Sequence, residues 1–108
     1  MTPLANLKCA PGGQAQALSD ADIAQYLLML NGWQRDGNEL RKTFTFKNYH
    51  ETIAFMNASA WISHREDHHP DMSVHYNRCV VAYSTHDAGG ITLNDFICAA
   101  KLDGLFSI

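Results

Sequence analysis

Residues 67–87 read DHHPDMSVHYNRCVVAYSTHD, with a proline near the start and two runs of strand-forming residues after it. Pro70 favours extended backbone for the residue before it and suits the first position of a strand, which can lack its N–H. The apolar pattern beyond it predicts two strands, near Met72 to Tyr76 and Cys79 to Thr85, joined by a turn at Asn77-Arg78. The stretch therefore predicts a β-hairpin.

The predicted turn also predicts which residues meet at the open end of this hairpin. A two-residue turn at that position sets His69 opposite His86, and opposed Cβ atoms in an antiparallel pair are about 5 Å apart. His68 precedes His69 directly, so three imidazoles are predicted to share one place. Asp67 and Asp87 flank that place, where a carboxylate can orient an imidazole or hold its charge.

The histidines are concentrated, since four of the six fall between His64 and His75. An unperturbed imidazole has a pKa of about 6.5, so a cluster indicates an acid–base site or a metal site. His64 and His68 have the i, i+4 spacing of zinc ligands, but no HExxH motif or cysteine pair accompanies them, which favours acid–base chemistry. His64 alone suits a helix C-terminus, and His50 and His75 are predicted to be surface or strand positions.

A long helix is predicted before this hairpin. Asn48 is its predicted N-cap, Glu51 stands three residues on as a capping-box partner would, and the helix should end between Arg65 and Asp67. Apolar residues recur along it at helical spacing. The predicted apolar row is Tyr49, Ile53, Met56 and Ala60, with Phe55 and Ile62 on an adjacent row.

A first hairpin is predicted further upstream. Trp33 to Arg35 and Glu39 to Phe46 flank Asp36-Gly37-Asn38, and Asp-Gly is a strong hairpin signal. The second strand alternates between apolar and polar residues, which indicates a sheet with one wet side. Its predicted inward residues are Leu40, Phe44 and Phe46, and its predicted outward residues are Arg41, Thr43 and Thr45.

Two more helices complete the predicted order. The first begins after the N-cap Ser19 and ends at Gly32, and the last begins after Thr92 and ends at Gly104. The order helix, hairpin, helix, hairpin, helix predicts an α+β fold, in which a four-stranded antiparallel sheet built from two β-hairpins has helices packed on one face. Residues 1–18 are predicted to be an irregular N-terminal arm, and residues 19–108 a single domain.

Composition excludes several classes of protein. The 108 residues are 46% hydrophobic, typical of a globular domain, and no apolar run approaches the ~18 residues of a membrane span. The net charge is −3 and the eight basic residues are scattered, which argues against nucleic-acid binding. The three cysteines are odd in number and far apart, and no signal-peptide pattern is present, so a reducing cytoplasm is expected.

Three motifs together resemble a known family. They are Asp67-His68-His69-Pro70, Tyr76-Asn77 and Ser84-Thr85-His86, and they look like the signature of the pterin-4a-carbinolamine dehydratases. The resemblance runs from about Ser19 to Leu102. It includes Gly32-Trp33, Phe44-x-Phe46 and Asn94-Asp95.

The resemblance implies a fold, an activity and a site. The family has an α+β sheet with helices on one side. It dehydrates 4a-hydroxytetrahydrobiopterin, the pterin-4a-carbinolamine left by aromatic amino acid hydroxylases, to quinonoid dihydropterin plus water in tetrahydropterin recycling, with no cofactor or metal. By this similarity His68, His69 and His86 are the catalytic residues. The implied substrate-binding residues are Asp67, His68, His69, Ser84, Thr85, His86 and Asp87.

The resemblance also has departures and alternatives. An acidic residue often stands in the place of His64, and an aromatic one in the place of Met72. The family implies a homodimer or homotetramer and a functional link to phenylalanine hydroxylase. Two other roles stay open, because some relatives act as dimerisation cofactors of a transcription factor, and others are connected with molybdopterin metabolism.

Overall fold

The computed structural model describes residues 3–11 and 13–106, and an antiparallel sheet with helices on one side organises them. The elements in chain order are α1 (Asp20–Leu27), β1 (Gln34–Asp36), β2 (Glu39–Thr45), α2 (Tyr49–Glu66), β3 (Asp71–Val74), β4 (Arg78–Tyr83) and α3 (Leu93–Asp103). Short 3-10 turns occur at Leu4–Asn6, His86–Ala88 and Gly104–Phe106. This is the predicted α+β order. Across the described ranges, no helix has the length and apolar character needed to span a bilayer.

The sheet has the strand order β1-β2-β4-β3, and every neighbouring pair is antiparallel. Each hairpin supplies two adjacent strands, and the hairpins meet where β2 pairs with β4. The inner face carries Leu40 and Phe44 from β2, both buried, while Arg41 and Thr43 between them are exposed. The predicted dry and wet faces of this strand are therefore confirmed.

The turn of the first hairpin lies where the sequence placed it. Asp36 pairs with Glu39, so Gly37 and Asn38 form a two-residue turn. Gly37 has a φ of 62°, in the left-handed region that such a turn requires and that glycine adopts without a steric penalty.

The turn of the second hairpin is one residue earlier than predicted. His75 N–H donates to the Arg78 carbonyl over 2.8 Å, so Tyr76 and Asn77 form the turn rather than Asn77-Arg78. Both turn carbonyls accept hydrogen bonds from outside the hairpin, Tyr76 O from Thr52 Oγ1 at 3.0 Å and Asn77 O from a backbone N–H at 2.8 Å. These tertiary bonds fix a turn that its own residues specify weakly.

The predicted register is therefore wrong by two positions. Val74 pairs with Cys79, where the prediction paired Val74 with Val81. When the observed register is continued past the last pair, His69 lies level with Ser84 and not with His86. A shift by two positions keeps every side chain on its predicted face, because side chains alternate with a period of two.

The first helix ends earlier than predicted. Ser19 Oγ accepts the Asp22 N–H at 3.1 Å, as an N-cap should, but the helix stops at Leu27 and tighter turns follow. Leu28, the first residue beyond the helix, is 81% exposed and has little packing that would extend it. Gly32 has a φ of 81° and lies in the link to β1 rather than at the helix end.

The second helix begins and ends as predicted, but a different face is buried. Asn48 Oδ1 accepts the Glu51 N–H at 3.0 Å, and Glu51 reaches back to Lys47 N–H, one residue before the expected partner. The predicted row lies at the side of the helix, because Tyr49 is 50% exposed and Ala60 is exposed while Ile53 and Met56 are half-buried. The buried face is Thr52, Phe55, Ser59, Ser63 and Glu66. Small hydroxyl residues can be buried there because they bond to backbone carbonyls, as Ser59 Oγ does to Met56 O at 2.6 Å.

The core lies between the sheet and α3. α3 is buried over most of its length, through Phe96, Ile97, Cys98, Ala99 and Leu102. Two residues of the N-terminal arm, Leu4 and Cys9, join the same cluster. The arm therefore packs against the domain rather than standing off from it.

Candidate active site

A cavity of about 280 Å³ opens where the C-terminal end of α2, the end of β4 and the start of α3 meet. All seven predicted substrate-binding residues line it: Asp67, His68, His69, Ser84, Thr85, His86 and Asp87. The remaining lining residues are Ala10, Gly13, Ala15 and Asn94. Residues 67–69 precede β3 and residues 84–87 follow β4, and these ends coincide because the two strands are antiparallel neighbours. An error of two positions in the register leaves this convergence intact.

Asp67 ends α2 in an unusual backbone conformation. Its φ of 50° is the one positive value at a residue other than glycine within the described ranges. The Asp67 and His68 N–H groups both donate to the Ser63 carbonyl, which completes the helix end. Asp tolerates the left-handed region better than most residues. The conformation turns the chain sharply from α2 toward β3 and brings His68 to the cavity.

His68 is the most firmly held imidazole of the three. Its Nε2 lies 2.6 Å from Asp95 Oδ1, and the side chain is 12% exposed. Its ring stacks on the Tyr83 ring with centroids 5.9 Å apart and planes inclined by 11°. Two contacts therefore fix both the position and the rotation of the ring.

Asp95 is a fully buried carboxylate with a complete set of donors. Its Oδ2 accepts the Thr92 N–H at 2.9 Å and the Thr85 hydroxyl at 2.9 Å, while Oδ1 faces His68. Because the single Thr85 hydroxyl proton goes to Asp95, the Thr92 hydroxyl donates to Thr85 Oγ1 at 2.8 Å. The carboxylate also lies in the first turn of α3, where the helix dipole favours negative charge.

Sequence reasoning did not place Asp95 among the site residues. Thr92 and Asp95 form a capping box at the start of α3, and the Thr-x-x-Asp spacing is a sequence signal for that cap. The spacing predicts the cap. The hydrogen bond to His68 depends on how α2 and α3 pack, which the spacing does not reveal.

Tyr83 forms the floor beneath His68. It is fully buried, and its hydroxyl has no hydrogen-bond partner among the described residues. Burial raises the pKa of Tyr83, and the nearby Cys98 and Cys9 thiols and the Asp95 carboxylate raise it further. The phenol therefore stays neutral and contributes an apolar surface for the imidazole.

His69 and His86 differ from His68 because both are exposed. His86 is the first residue of a 3-10 turn. A β-bridge between Thr85 and Gly90 closes this turn, and in it the Thr85 N–H donates to Gly90 O at 3.1 Å. The cavity therefore combines one half-buried, fixed imidazole with two exposed ones.

The other histidines lie elsewhere. His64 is exposed and stands edge-on to Trp61, with ring centroids 6.3 Å apart, in a separate hollow on the outer face of α2. His50 is exposed in the first turn of α2. His75 Nε2 lies 2.7 Å from Ser73 Oγ at the hairpin turn. In residues 3–11 and 13–106, no three His, Cys, Asp or Glu side chains are grouped so that they could hold a metal ion.

Comparison with known proteins identifies close relatives. A family model described as pterin 4 alpha carbinolamine dehydratase matches residues 16–105. A Chromobacterium violaceum protein is 61% identical over 103 residues, which is 95% of each chain, and a Nitrosospira multiformis protein is 56% identical over 106 residues, 97% of this chain and 94% of that one. Both are named, provisionally, as pterin-4-alpha-carbinolamine dehydratases.

A solved structure has the same fold. It is the crystal structure of a transcriptional coactivator/pterin dehydratase from Brucella melitensis, with a TM-score of 0.81 and 29% sequence identity. The match covers 83% of this chain and 98% of the Brucella chain.

Proposed function

Since the chain belongs to the pterin 4 alpha carbinolamine dehydratase family, we propose that it dehydrates a 4a-hydroxytetrahydropterin to the quinonoid dihydropterin and water. The observation that carries this proposal is that Asp67, the three histidines and the Ser84 to Asp87 segment line one cavity. Its volume of about 280 Å³ is near the lower end of small-molecule sites, which suits a bicyclic ligand.

The reaction needs one proton donor and one proton acceptor. The hydroxyl group leaves C4a, and because hydroxide is a poor leaving group it must be protonated as it departs. A base removes the proton from N5, so that the C4a–N5 double bond forms. Each well-placed proton transfer accelerates such a step by about 10²- to 10⁴-fold.

His68 suits the role of base. The Asp95 carboxylate accepts the Nε2–H, which favours the neutral tautomer with an unprotonated Nδ1. That nitrogen is then free to accept the N5 proton, and the carboxylate stabilises the imidazolium that forms. Asp95 thus acts through His68 and is a positioning residue.

His69 and His86 suit the role of acid. Both are exposed, so they can regain a proton from solvent after each turnover. Asp67 and Asp87 line the same cavity.

The proposed activity also implies partners for the protein. The substrate is the product of an aromatic amino acid hydroxylase, so we propose a functional link to phenylalanine hydroxylase in the cytoplasm, in tetrahydropterin recycling. We also propose a homodimer or homotetramer. The outer face of α2 supports it, because Trp61 is 70% exposed and Tyr49 is 50% exposed there.

A protein-binding role is a second candidate. The Brucella relative is described as a transcriptional coactivator as well as a pterin dehydratase. In this chain the exposed Trp61 face is the surface that such a role would use. The two roles are separable, because Trp61 does not line the cavity.

The test is the dehydration rate of enzymatically formed 4a-carbinolamine with and without the protein. We expect catalytic amounts to accelerate dehydration above the spontaneous rate. A parallel sample dialysed against a chelator should be equally active. No acceleration would overturn the proposal, and activity that a chelator abolishes and zinc restores would overturn the metal-free mechanism.

A further inference from the structure

The lining of the cavity is divided by chemistry and by origin. Its polar residues come from residues 67–69, residues 84–87 and Asn94, all within the domain. Its nonpolar residues are Ala10, Gly13 and Ala15, and all of them come from the N-terminal arm. The family model matches only from residue 16, so this wall lies before the matched region.

A side-chain amide holds the arm against the cavity. Asn94 Oδ1 accepts the Ala10 N–H at 2.9 Å, and Asn94 Nδ2 donates to the Ala10 carbonyl at 3.1 Å. The amide thus satisfies both backbone groups of one arm residue, as a paired strand would. Asn94 is buried, so water competes weakly with these bonds.

The residues before Ala10 are anchored to two helices. The Cys9 N–H donates to Glu66 Oε1 at 2.8 Å, and Cys9 Sγ lies 3.5 Å from Cys98 Sγ in the core. Lys101 Nζ donates to the Ala5 carbonyl at 2.8 Å. These contacts tie the arm to α2 and α3 and fix the position of its nonpolar residues.

The substrate of the proposed function, like the cavity, has a polar side and a less polar side. The following inference rests on that proposed function. The pyrimidine ring and the reacting C4a–N5 pair carry the polar groups, which the polar side of the cavity suits. C6, which is bonded to N5, and its neighbour C7 are saturated carbons without polar atoms of their own, and C6 carries the substituent that distinguishes one tetrahydropterin from another. Nonpolar Ala and Gly surfaces suit this side of the ring.

We propose that the arm is the specificity-determining wall of the cavity, which contacts the C6–C7 side of the tetrahydropterin. The methyl groups of Ala10 and Ala15 then limit the size of the 6-substituent that the cavity admits. A larger side chain at either position should exclude bulky 6-substituents and still admit small ones.

The experiment compares two substrates in variants of the arm. Ala10→Leu and Ala15→Leu are assayed with the carbinolamines of 6-methyl and of 6-(1,2-dihydroxypropyl) tetrahydropterin, and Ala24→Leu on the exposed face of α1 is the matched control. We expect KM for the dihydroxypropyl substrate to rise about tenfold and KM for the methyl substrate less than about threefold, the range a few methylenes supply. The control should match the wild type. Equal changes for both substrates would overturn the proposal.

Two further measurements keep the result interpretable. Ala10→Val adds less side-chain volume than Ala10→Leu at the same exposed position. Thermal unfolding of each variant shows whether the fold is intact. Equilibrium binding of unreactive dihydropterins with the same two substituents tests the wall without turnover. If the wild type binds the dihydropterins but does not dehydrate the carbinolamines, the proposed function fails. The binding constants of the arm variants then support or overturn the wall by themselves. If the wild type binds neither, the wall is overturned as well.

Discussion

His68 Nε2 and Asp95 Oδ1 lie 2.6 Å apart, although 27 positions separate the residues in the chain. The contact joins the link after α2 to the first turn of α3. Asp95 serves two purposes there, since its other carboxylate oxygen caps α3 through the Thr92 N–H. The N-terminal cap of α3 and the orientation of the His68 imidazole thus depend on the same carboxylate. A substitution at Asp95 should therefore affect both.

Asp95→Asn should lower kcat/KM by about 100-fold, because an amide at this position can present an N–H to His68 and favour the wrong tautomer. The fall should be in kcat rather than in KM, and the pH–rate profile should change shape. Steady-state assays across pH measure both. Because the amide oxygen can still accept the Thr92 N–H, the free energy of unfolding should fall by no more than about 1 kcal/mol.

Asp20→Asn is the matched control for this variant, because Asp20 lies in the first turn of α1 and does not line the cavity. It should retain full activity. A stable Asp95→Asn enzyme with an unchanged kcat and pH profile would show that Asp95 is only a cap.

His69→Ala and His86→Ala should each lower kcat/KM by about 10- to 1000-fold, and the double variant should lose much less than the product of the two. The reason is that both imidazoles line one cavity and handle protons of one small substrate. A double-mutant cycle on kcat/KM measures the coupling, with His50→Ala as the near-neutral control. Simple multiplication of the two losses would show that they act separately.

The hairpin pattern alone predicts that Asp67, His68, His69, His86 and Asp87 lie together, because the evidence for them is local; Ser84 and Thr85 are added by the family resemblance. Pro70 marks the start of β3, and residues on either side of the hairpin must converge whatever its exact register. The turn lies one residue earlier than the pattern predicts, because the Thr52 hydroxyl and the Phe46 N–H, which belong to other parts of the chain, donate to its carbonyls. No pattern within the hairpin reports those bonds.

Two other features depend on packing that sequence periodicity does not describe. The buried face of α2 includes Ser59 and Ser63, which an apolar-row analysis assigns to the surface, while Tyr49 on the predicted row is half exposed. The arm lacks periodic structure, so nothing in it predicted that Ala10 would line the cavity. Its position follows from the Asn94 amide, 84 residues away.

Glu66→Gln should destabilise the protein at neutral pH, and the difference should vanish in acid. Burial alone would raise the pKa of Glu66, but the Cys9 N–H and the charges of Lys101 and Lys8 outweigh it and hold the pKa below the ordinary 4.5. A depressed folded-state pKa contributes stability that is present above the ordinary value and is lost as pH falls below it. We expect about 1 kcal/mol at neutral pH.

Urea unfolding of wild type and Glu66→Gln at neutral pH and at progressively lower pH measures this difference. Glu39→Gln is the control, because Glu39 pairs with Arg41 in a partly exposed surface ion pair and should cost little at any pH. A wild-type advantage that is constant through the acid range would refute the assignment.

Sedimentation should show a dimer or larger assembly at micromolar concentration rather than a 12.0 kDa species. Trp61→Ser should weaken it, because the Trp61 side chain is 70% exposed beside a hollow on the outer face of α2, and tryptophan is enriched at protein interfaces. Leu28→Ser, at a residue that is 81% exposed elsewhere, is the control and should not change the assembly. A wild-type monomer would contradict this account.

The most direct test of the central claim is the dehydration of 4a-carbinolamine by the wild type beside the His68→Ala variant at equal concentration. His68 carries the base in this account, and Asp95 and Tyr83 hold it in place. We expect strong acceleration by the wild type and a loss of about 10²- to 10⁴-fold in the folded variant. A wild type no faster than the spontaneous reaction, or a folded variant as fast as the wild type, would contradict the account.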